Sequence, residues 1–235
     1  MGIPLEISVV IPALNEEKMI ARAIESAWDA GVAEVVVSDG GSSDQTCEIA
    51  AARGAEVTEG AAGRGNQLNR GAARATSELL LFLHADNWLS PACCVQLWEA
   101  YQDGQEYCCF RQEIDAPGLI YRWIEKGNAI RAAWQNLPYG DQGISLSRTL
   151  FEAVGGFDDI PLMEDVALAR RLSGRAIPRL LPGPLHVSER RWKKKGPIRL
   201  TISNWVTMLR YRLGTDPRIL ARGYPPDDEP LTTGH

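Results

Sequence analysis

Carboxylates stand at three junctions between polar and apolar sequence. Asp39 follows the run at 34–38, EVVVS, and opens the polar stretch Asp39, Gly40, Gly41, Ser42, Ser43, Asp44. Asp86 follows Leu79, Leu80, Leu81, Phe82 and Leu83, five apolar residues without alternation, in company with His84 and Asn87. Glu164 and Asp165 precede Val166, Leu168, Ala169 and Leu172, which are spaced for a helix. Asp86 at the end of a buried strand can hold Mg²⁺ or Mn²⁺ against a diphosphate, or can simply cap the following turn. One of Glu164 and Asp165, if it faces a cleft, can take the proton of an acceptor hydroxyl. The same pair can act only as partners of the helix dipole. Asp39 can be a turn residue, while Gly40 and Gly41 let a ligand approach the backbone.

Cationic groups accompany these acids. Residues 60–71 read GAAGRGNQLNRG, so Arg64 lies near a helix start and can face phosphate there. No Gly-Lys-Ser/Thr closes that stretch, so it is not a Walker A loop. Arg190, Arg191 and Lys193 lie in PGPLHVSERRWKKKG, which reads as a basic loop. They can neutralise a leaving diphosphate or form a solvated face.

The elements that must position these groups alternate along the chain. Buried strands are expected at 7–11 and 79–83, with a second strand at 34–38, a short third at 55–58 and further strands near 106–112, 144–147 and 177–181. Pro12 should end the first strand, and Asn15 should cap a helix running to about Asp29. Further helices are expected from about Gln45, through Thr76, over 91–101, 118–131 and 149–154, and from about Glu164. A last helix spans 198–213, with Arg199, Arg210 and Arg212 among its apolar residues. It can pack on the domain, form a homodimer face or lie on a membrane surface, and packing is the default. Trp123 and Trp134 read as packing or as an acceptor-pocket wall. Unalternating strands between helices predict an α/β fold with a mostly parallel, Rossmann-like sheet, whose ligands sit at the carboxyl ends of the strands. Asp39, Arg64 and Asp86 would then converge on one rim.

Composition narrows the options. The chain has 235 residues, 45% of them hydrophobic, and a net charge of −5, so bulk charge makes no case for nucleic acid. Between Arg170 and Arg212, however, twelve Lys or Arg face one acid, Glu189. That asymmetry suggests an anionic ligand or peripheral contact with an anionic membrane. Five cysteines without C-x-x-C spacing suggest buried small residues in a reducing, cytoplasmic compartment. No signal peptide and no transmembrane helix are predicted.

Taken together, VVIPALNEE (9–17), VVVSDGGSSDQT (35–46), GRGNQLNRGA (63–72), LLFLHADN (80–87) and MEDVALARRL (163–172) resemble glycosyltransferase family 2 enzymes of the GT-A fold. HAD, the YGDQG turn, GGFDDIPLMED and SERRW are similar to a small bacterial subgroup labelled arsenosugar-biosynthesis-type glycosyltransferases. The resemblance implies one GT-A domain over 1–225. Its nucleotide-binding half would span 1–105, its acceptor half 106–197 and a C-terminal helix 198–214, with a flexible tail at 225–235. It implies a nucleotide-diphosphate sugar donor, of uracil or guanine base, and an acceptor that is a small molecule, glycan or lipid phosphate. Asp39 would contact the base, with Pro12, Ala13 and Glu16 lining the same pocket and Arg64 nearby. Asp86 would hold Mn²⁺ or Mg²⁺ as the last residue of an Asp-x-Asp motif whose first position here is His84. Asp165 would be the catalytic base, with Glu164 beside it, in an inverting in-line displacement. Ser188–Trp192 resembles the Gln-x-x-Arg-Trp element of processive members, with Ser188 in place of Gln. The alternatives are a nucleotidyltransferase of related fold and a catalytically silent binding protein of the same fold.

Overall fold

The computed structural model describes residues 5–223. Eight strands form one sheet: β1 (Leu5–Ala13), β2 (Val32–Asp39), β3 (Glu56–Glu59), β4 (Leu79–Phe82), β5 (Asn87–Leu89), β6 (Tyr107–Ile114), β7 (Ile144–Ser147) and β8 (Arg179–Val187). Their spatial order is β3-β2-β1-β4-β7-β6-β8-β5. The β1–β2, β2–β3, β1–β4 and β6–β8 pairs are parallel. β7 runs antiparallel to β4 and β6, and β5 antiparallel to β8. Ten helices intervene: α1 (Ile20–Asp29), α2 (Thr46–Ala52), α3 (Arg64–Arg74), α4 (Ala92–Gln102), α5 (Leu119–Gln135), α6 (Arg148–Ala153), α7 (Glu164–Leu172), α8 (Arg190–Lys195), α9 (Pro197–Arg212) and α10 (Pro217–Arg222).

Strand periodicity divides the core between the two faces of the sheet. Val9, Ile11, Val35, Val37 and Leu81 pack with α1 and α4 on one face. Val10, Val36, Leu80 and Phe82 pack with α3, α6 and α7 on the other. Burial on both faces is why these strands read as continuous apolar runs. Cys93, Cys94, Cys108 and Cys109 are buried and unpaired, Cys47 is half-buried, and burial pushes the Cys94, Cys108 and Cys109 thiols up to about 12.

Several expectations need correction. Pro12 does not end β1; it lies within it, opposite Ser38. It follows the last β1–β4 pair, Val10–Phe82, so no ladder bond on that side needs its N–H. Asn15 is not a helix cap. It has a left-handed backbone, φ 53°, and its Oδ1 accepts from the Ser43 N–H, while α1 starts at Ile20. PGPLHV is not loop but the body of β8, and Pro182 and Pro184 fall where the β6–β8 register shifts, an irregularity that suits proline. β5 itself was unexpected, being only three residues long. Trp123 and Trp134 are 68% and 84% exposed and so do not pack in the core. On α9 only Leu200 and Met208 are buried, so packing does not account for its apolar stripe. The tail at 225–235 lies outside the described residues.

Helix α3 approaches β1 closely because of Gly71. A Cβ there would lie 2.4 Å from Val10 Cγ1. Gly71→Ala would gain helix propensity of about 1 kcal/mol, but overpacking costs about 1–3 kcal/mol. Against a fully buried Val10 the clash should win. The variant is expected to have a lower urea midpoint than wild type, and an unchanged or higher midpoint would refute the close approach.

Candidate active site

Strand direction decides which ends meet. β1, β2 and β4 are parallel, β7 opposes β4 and β6, and β8 follows β6. The carboxyl ends of β1, β2, β4 and β8 therefore share one rim with the turn that enters β7. Asp39, Asp86, residues 139–143 and residues 188–191 all reach this rim.

Asp86 and the start of α8 are joined directly. The Ser188 N–H donates to the Asp86 carbonyl at 3.1 Å. Arg190 then reaches across the rim. Its Nη1 and Nη2 donate to the two Glu16 carboxylate oxygens at 2.8 and 2.5 Å, and its Nε lies 3.4 Å from Asp86 Oδ2. One guanidinium thus bridges the β1–α1 loop and the end of β4. The geometry with Glu16 is the bidentate fork that arginine favours.

The acidic pair on α7 diverges, as neighbours about 100° apart on a helix must. Glu164 is buried and accepts from Arg64 Nη1 at 3.1 Å. Asp165 lines a cavity of about 90 Å³ with Arg64, His84, Tyr139, Asp141 and Arg191. Asp165 Oδ2 accepts from the Gly140 N–H and Oδ1 from the Val166 N–H, each at 2.7 Å. Gly140 is wedged between two site residues: a Cβ would lie 2.7 Å from His84 Nε2 and 3.6 Å from Asp165 Oδ2. Burial holds the His84 imidazole well below its ordinary pKa, and the charges of Arg64, Arg191 and Arg190 act in the same direction. His84 is therefore neutral.

The turn carrying Gly140 and Asp141 is held from two sides. The Asp141 carbonyl accepts from Asn87 Nδ2 and Gln112 Nε2, each at 3.0 Å. Arg131 lies 3.3 Å over the Tyr139 ring and donates to Gln142 Oε1 at 2.7 Å. Arg131 was not foreseen, because one of several charged residues on α5 carries no signal of what it will face. Asn204 and Thr207 of α9 also line the Asp165 cavity and were equally unforeseen.

Asp39 is fully buried. Its Oδ2 accepts from the Gly41 and Ser42 N–H groups at 2.7 and 2.8 Å, and its Oδ1 from Ser42 Oγ at 2.5 Å. The carboxylate thereby shapes the loop after β2. Ala13 supplies a carbonyl to the Gly40 N–H and to Gln67 Nε2, and Pro12 pairs with Ser38. Pro12, Ala13, Glu16 and Asp39 adjoin one another at the ends of β1 and β2, but they do not line the Asp165 cavity.

Asp86 lines a smaller adjoining cavity with His84, Asn87, Asp141 and Arg191. Asn87 Oδ1 and Asp141 Oδ1 are buried there without a hydrogen-bond partner. Among the described residues no group of three His, Cys, Asp or Glu is placed to hold a metal ion. An Mg²⁺ or Mn²⁺ site needs fewer, since one or two carboxylates suffice when phosphate and water complete the shell. With oxygen donors and one anionic carboxylate, Asp86 fits a cation shared with a diphosphate.

Residues 8–157 match the profile described as Glycosyl transferase family 2, and the chain belongs to that family. Its eight-stranded, mostly parallel sheet matches the GT-A fold. Glucosyl-3-phosphoglycerate synthase from Mycobacterium tuberculosis, crystallised with Mn²⁺, UDP and glucosyl-3-phosphoglycerate, is similar in structure. Its TM-score is 0.56 at 22% identity, over 77% of this chain and 70% of that one. TarS of S. aureus gives a TM-score of 0.61 at 14% identity, over 91% of this chain and 68% of that one. A stretch of 49 residues is 49% identical to an uncharacterized protein of Methanocaldococcus jannaschii. This match spans 21% of this chain and a fifth, 20%, of that protein.

The acidic pair yields a two-part expectation. Burial raises the Glu164 carboxyl above its ordinary 4.5, and the Arg64 charge only partly opposes this. The folded chain thus holds that proton more tightly than the unfolded one, and wild-type stability falls as pH rises through the window above 4.5. Glu164→Gln removes this cost, keeps an acceptor for Arg64 and leaves a guanidinium that water can solvate, its side chain being 42% exposed. Its melting temperature at pH 7 should equal or exceed that of wild type, with the difference vanishing below about pH 4.5. A clear drop at pH 7 would mean that the ion pair is a net stabiliser.

Proposed function

We propose that this chain transfers a sugar from a nucleotide-diphosphate donor to an acceptor hydroxyl, with inversion at the anomeric carbon. The observation that carries this reading is the rim where Asp86, Asp165, Arg190 and Arg191 converge around His84 and Asp141. Membership in glycosyl transferase family 2 supports it. So do structural neighbours crystallised with UDP or UDP-GlcNAc. UDP- or GDP-sugars are the donors to test. The narrower likeness to the arsenosugar-type subgroup names no acceptor.

In this reading Asp39, Pro12, Ala13 and Glu16 form the nucleotide pocket, and Arg64 lies beside it. Asp86 holds Mn²⁺ or Mg²⁺. When bound, such an ion supplies positive charge against the leaving diphosphate. Arg190 must first release Asp86, because its guanidinium competes for the same carboxylate. Arg190 and Arg191 then stabilise the charge that grows on the leaving group. Asp165 takes the acceptor proton. Its oxygens accept from two backbone N–H groups, which fixes the carboxylate toward the cavity. Glu164 positions Arg64 and does not itself reach the acceptor. We place the reaction in the cytoplasm, where unpaired thiols persist and a nucleotide-sugar donor is at hand.

A thermal-shift panel of UDP- and GDP-sugars with and without Mn²⁺ tests the donor. Asp86→Ala is expected to fold but to lose the Mn²⁺-dependent part of the shift. An unchanged Mn²⁺ dependence in that variant would remove Asp86 from the site. Release of nucleoside diphosphate supports transfer, whereas release of pyrophosphate would indicate a nucleotidyltransferase.

Steady-state kinetics then test the base. Asp165→Asn should keep donor affinity and lower turnover on the order of 10²–10⁴-fold. Glu164→Gln should lower it less. The reverse order would exchange the two roles.

A further inference from the structure

Twelve of the fifteen large apolar side chains most exposed to solvent lie on or beside α5, α9 and α10. On α9 they are Ile198, Ile202, Trp205, Val206, Leu209 and Leu213 at its end. At the helical spacing these six fall within a stripe about 100° wide. Arg199 and Arg210 lie along one edge of the stripe and Arg212 along the other, and no acid occurs on α9. On α5, Leu119, Ile120, Trp123, Ile130 and Trp134 form a second such stripe. The two meet in one open groove of about 470 Å³, where Trp123 and Ile130 face Trp205 and Leu209.

α9 packs on the domain only through Leu200 and Met208, turns Asn204 and Thr207 toward the polar catalytic cavity, and leaves the six residues of its stripe facing solvent. No described helix is long and apolar enough to cross a membrane. Apolar side chains with tryptophans, edged by arginine on a helix lying flat, are instead the composition of a helix seated in a bilayer interface.

We propose that the α5–α9 face docks on the surface of an anionic lipid bilayer. Charge selects this occupant. The chain as a whole carries −5, yet α9 carries Arg199, Arg210 and Arg212 without an acid and follows directly on Lys193, Lys194 and Lys195 of α8. An anionic surface attracts such a region, while a second copy would set Arg199, Arg210 and Arg212 against their own kind. The groove shares Tyr139 with the Asp165 cavity, so the docked face adjoins the catalytic pocket. The proposal does not depend on which sugar is transferred, or on transfer at all.

Flotation of the full chain with phosphatidylcholine vesicles, with and without phosphatidylglycerol, tests it. Wild type should float with the anionic vesicles and remain unbound with phosphatidylcholine alone, and rising salt should release it. The Arg199→Glu, Arg210→Glu variant should lose binding at least tenfold, given about fivefold per basic residue removed, and the Ile202→Glu, Trp205→Glu variant should lose it at least as much through lost apolar insertion. Their UDP thermal shift should match that of wild type, which reads folding and the nucleotide site separately. Failure of wild type to float with anionic vesicles would overturn the proposal, as would undiminished flotation of both variants. A concentration-dependent dimer that Ile202→Glu, Trp205→Glu abolishes, without vesicle binding, would assign the face to a second copy and equally overturn it.

Discussion

A strand buried on both faces has no place for an ionised side chain except near its ends. β1, β2 and β4 are such strands, and the sheet layers above and below them are filled by α1, α3 and α4. Their ionisable residues are therefore confined toward the strand ends, Glu6 and Glu34 at the amino side and Asp39 and Asp86 at the carboxyl side, and because the strands are parallel the two aspartates share one rim. This constraint brings Asp39 and Asp86 to one edge although 47 positions separate them in sequence. The antiparallel β7 completes the edge, since a strand running the other way presents its entering turn, Gly140–Gln142, where its neighbours present their ends.

Charge on this rim is balanced by arginine rather than by histidine. His84 occupies the centre but is kept neutral by burial and by the guanidinium groups around it. Arg190 closes the gap between Glu16 and Asp86, which would otherwise repel each other across a partly buried space. The arrangement is consistent with a site that exchanges one cation for another. The Arg190 guanidinium holds both carboxylates here, and under the proposed function its release would free Asp86 for a cation brought with a diphosphate. Glu164 shows the accompanying cost. Its buried carboxyl is held above its ordinary pKa, so its charge is tolerated for what it does to Arg64 and not for stability.

The parts of this structure legible in the sequence were those set by local pattern. Leu79–Leu83 could only be a buried strand ending in polar residues, and the three-and-four spacing of Ile20, Ala23, Ile24 and Ala27 located α1. The failures have a common cause in tertiary context. Asn15 looks like a helix cap, but its side chain is taken by the Ser43 N–H from the neighbouring loop. Pro182, Gly183 and Pro184 look like a loop, yet the pairing of Leu181 and of Leu185–Val187 on either side carries β8 through them, and they form only an irregularity in its register. Arg131 and Asn204 carry no local mark, because what they face lies on other elements. Asp165, by contrast, could be separated from Glu164 only in part: helical geometry required the two to diverge but could not say which would meet Gly140.

Residues 188–212 tie the two ends of the site together. Ser188 and Arg190 bind Asp86 and Glu16 at the donor side, and Asn204 and Thr207 wall the Asp165 cavity one helix later. Only Gly196 separates α8 from α9. The element that contacts Asp86 and the helix that walls the Asp165 cavity are therefore joined by a single glycine, at a φ of 78°. The inner side of α9 is thereby divided: Leu200 and Met208 are buried against the domain while Asn204 and Thr207 serve the cavity, so the wider apolar stripe from Ile198 to Leu213 falls on the other side and stays exposed.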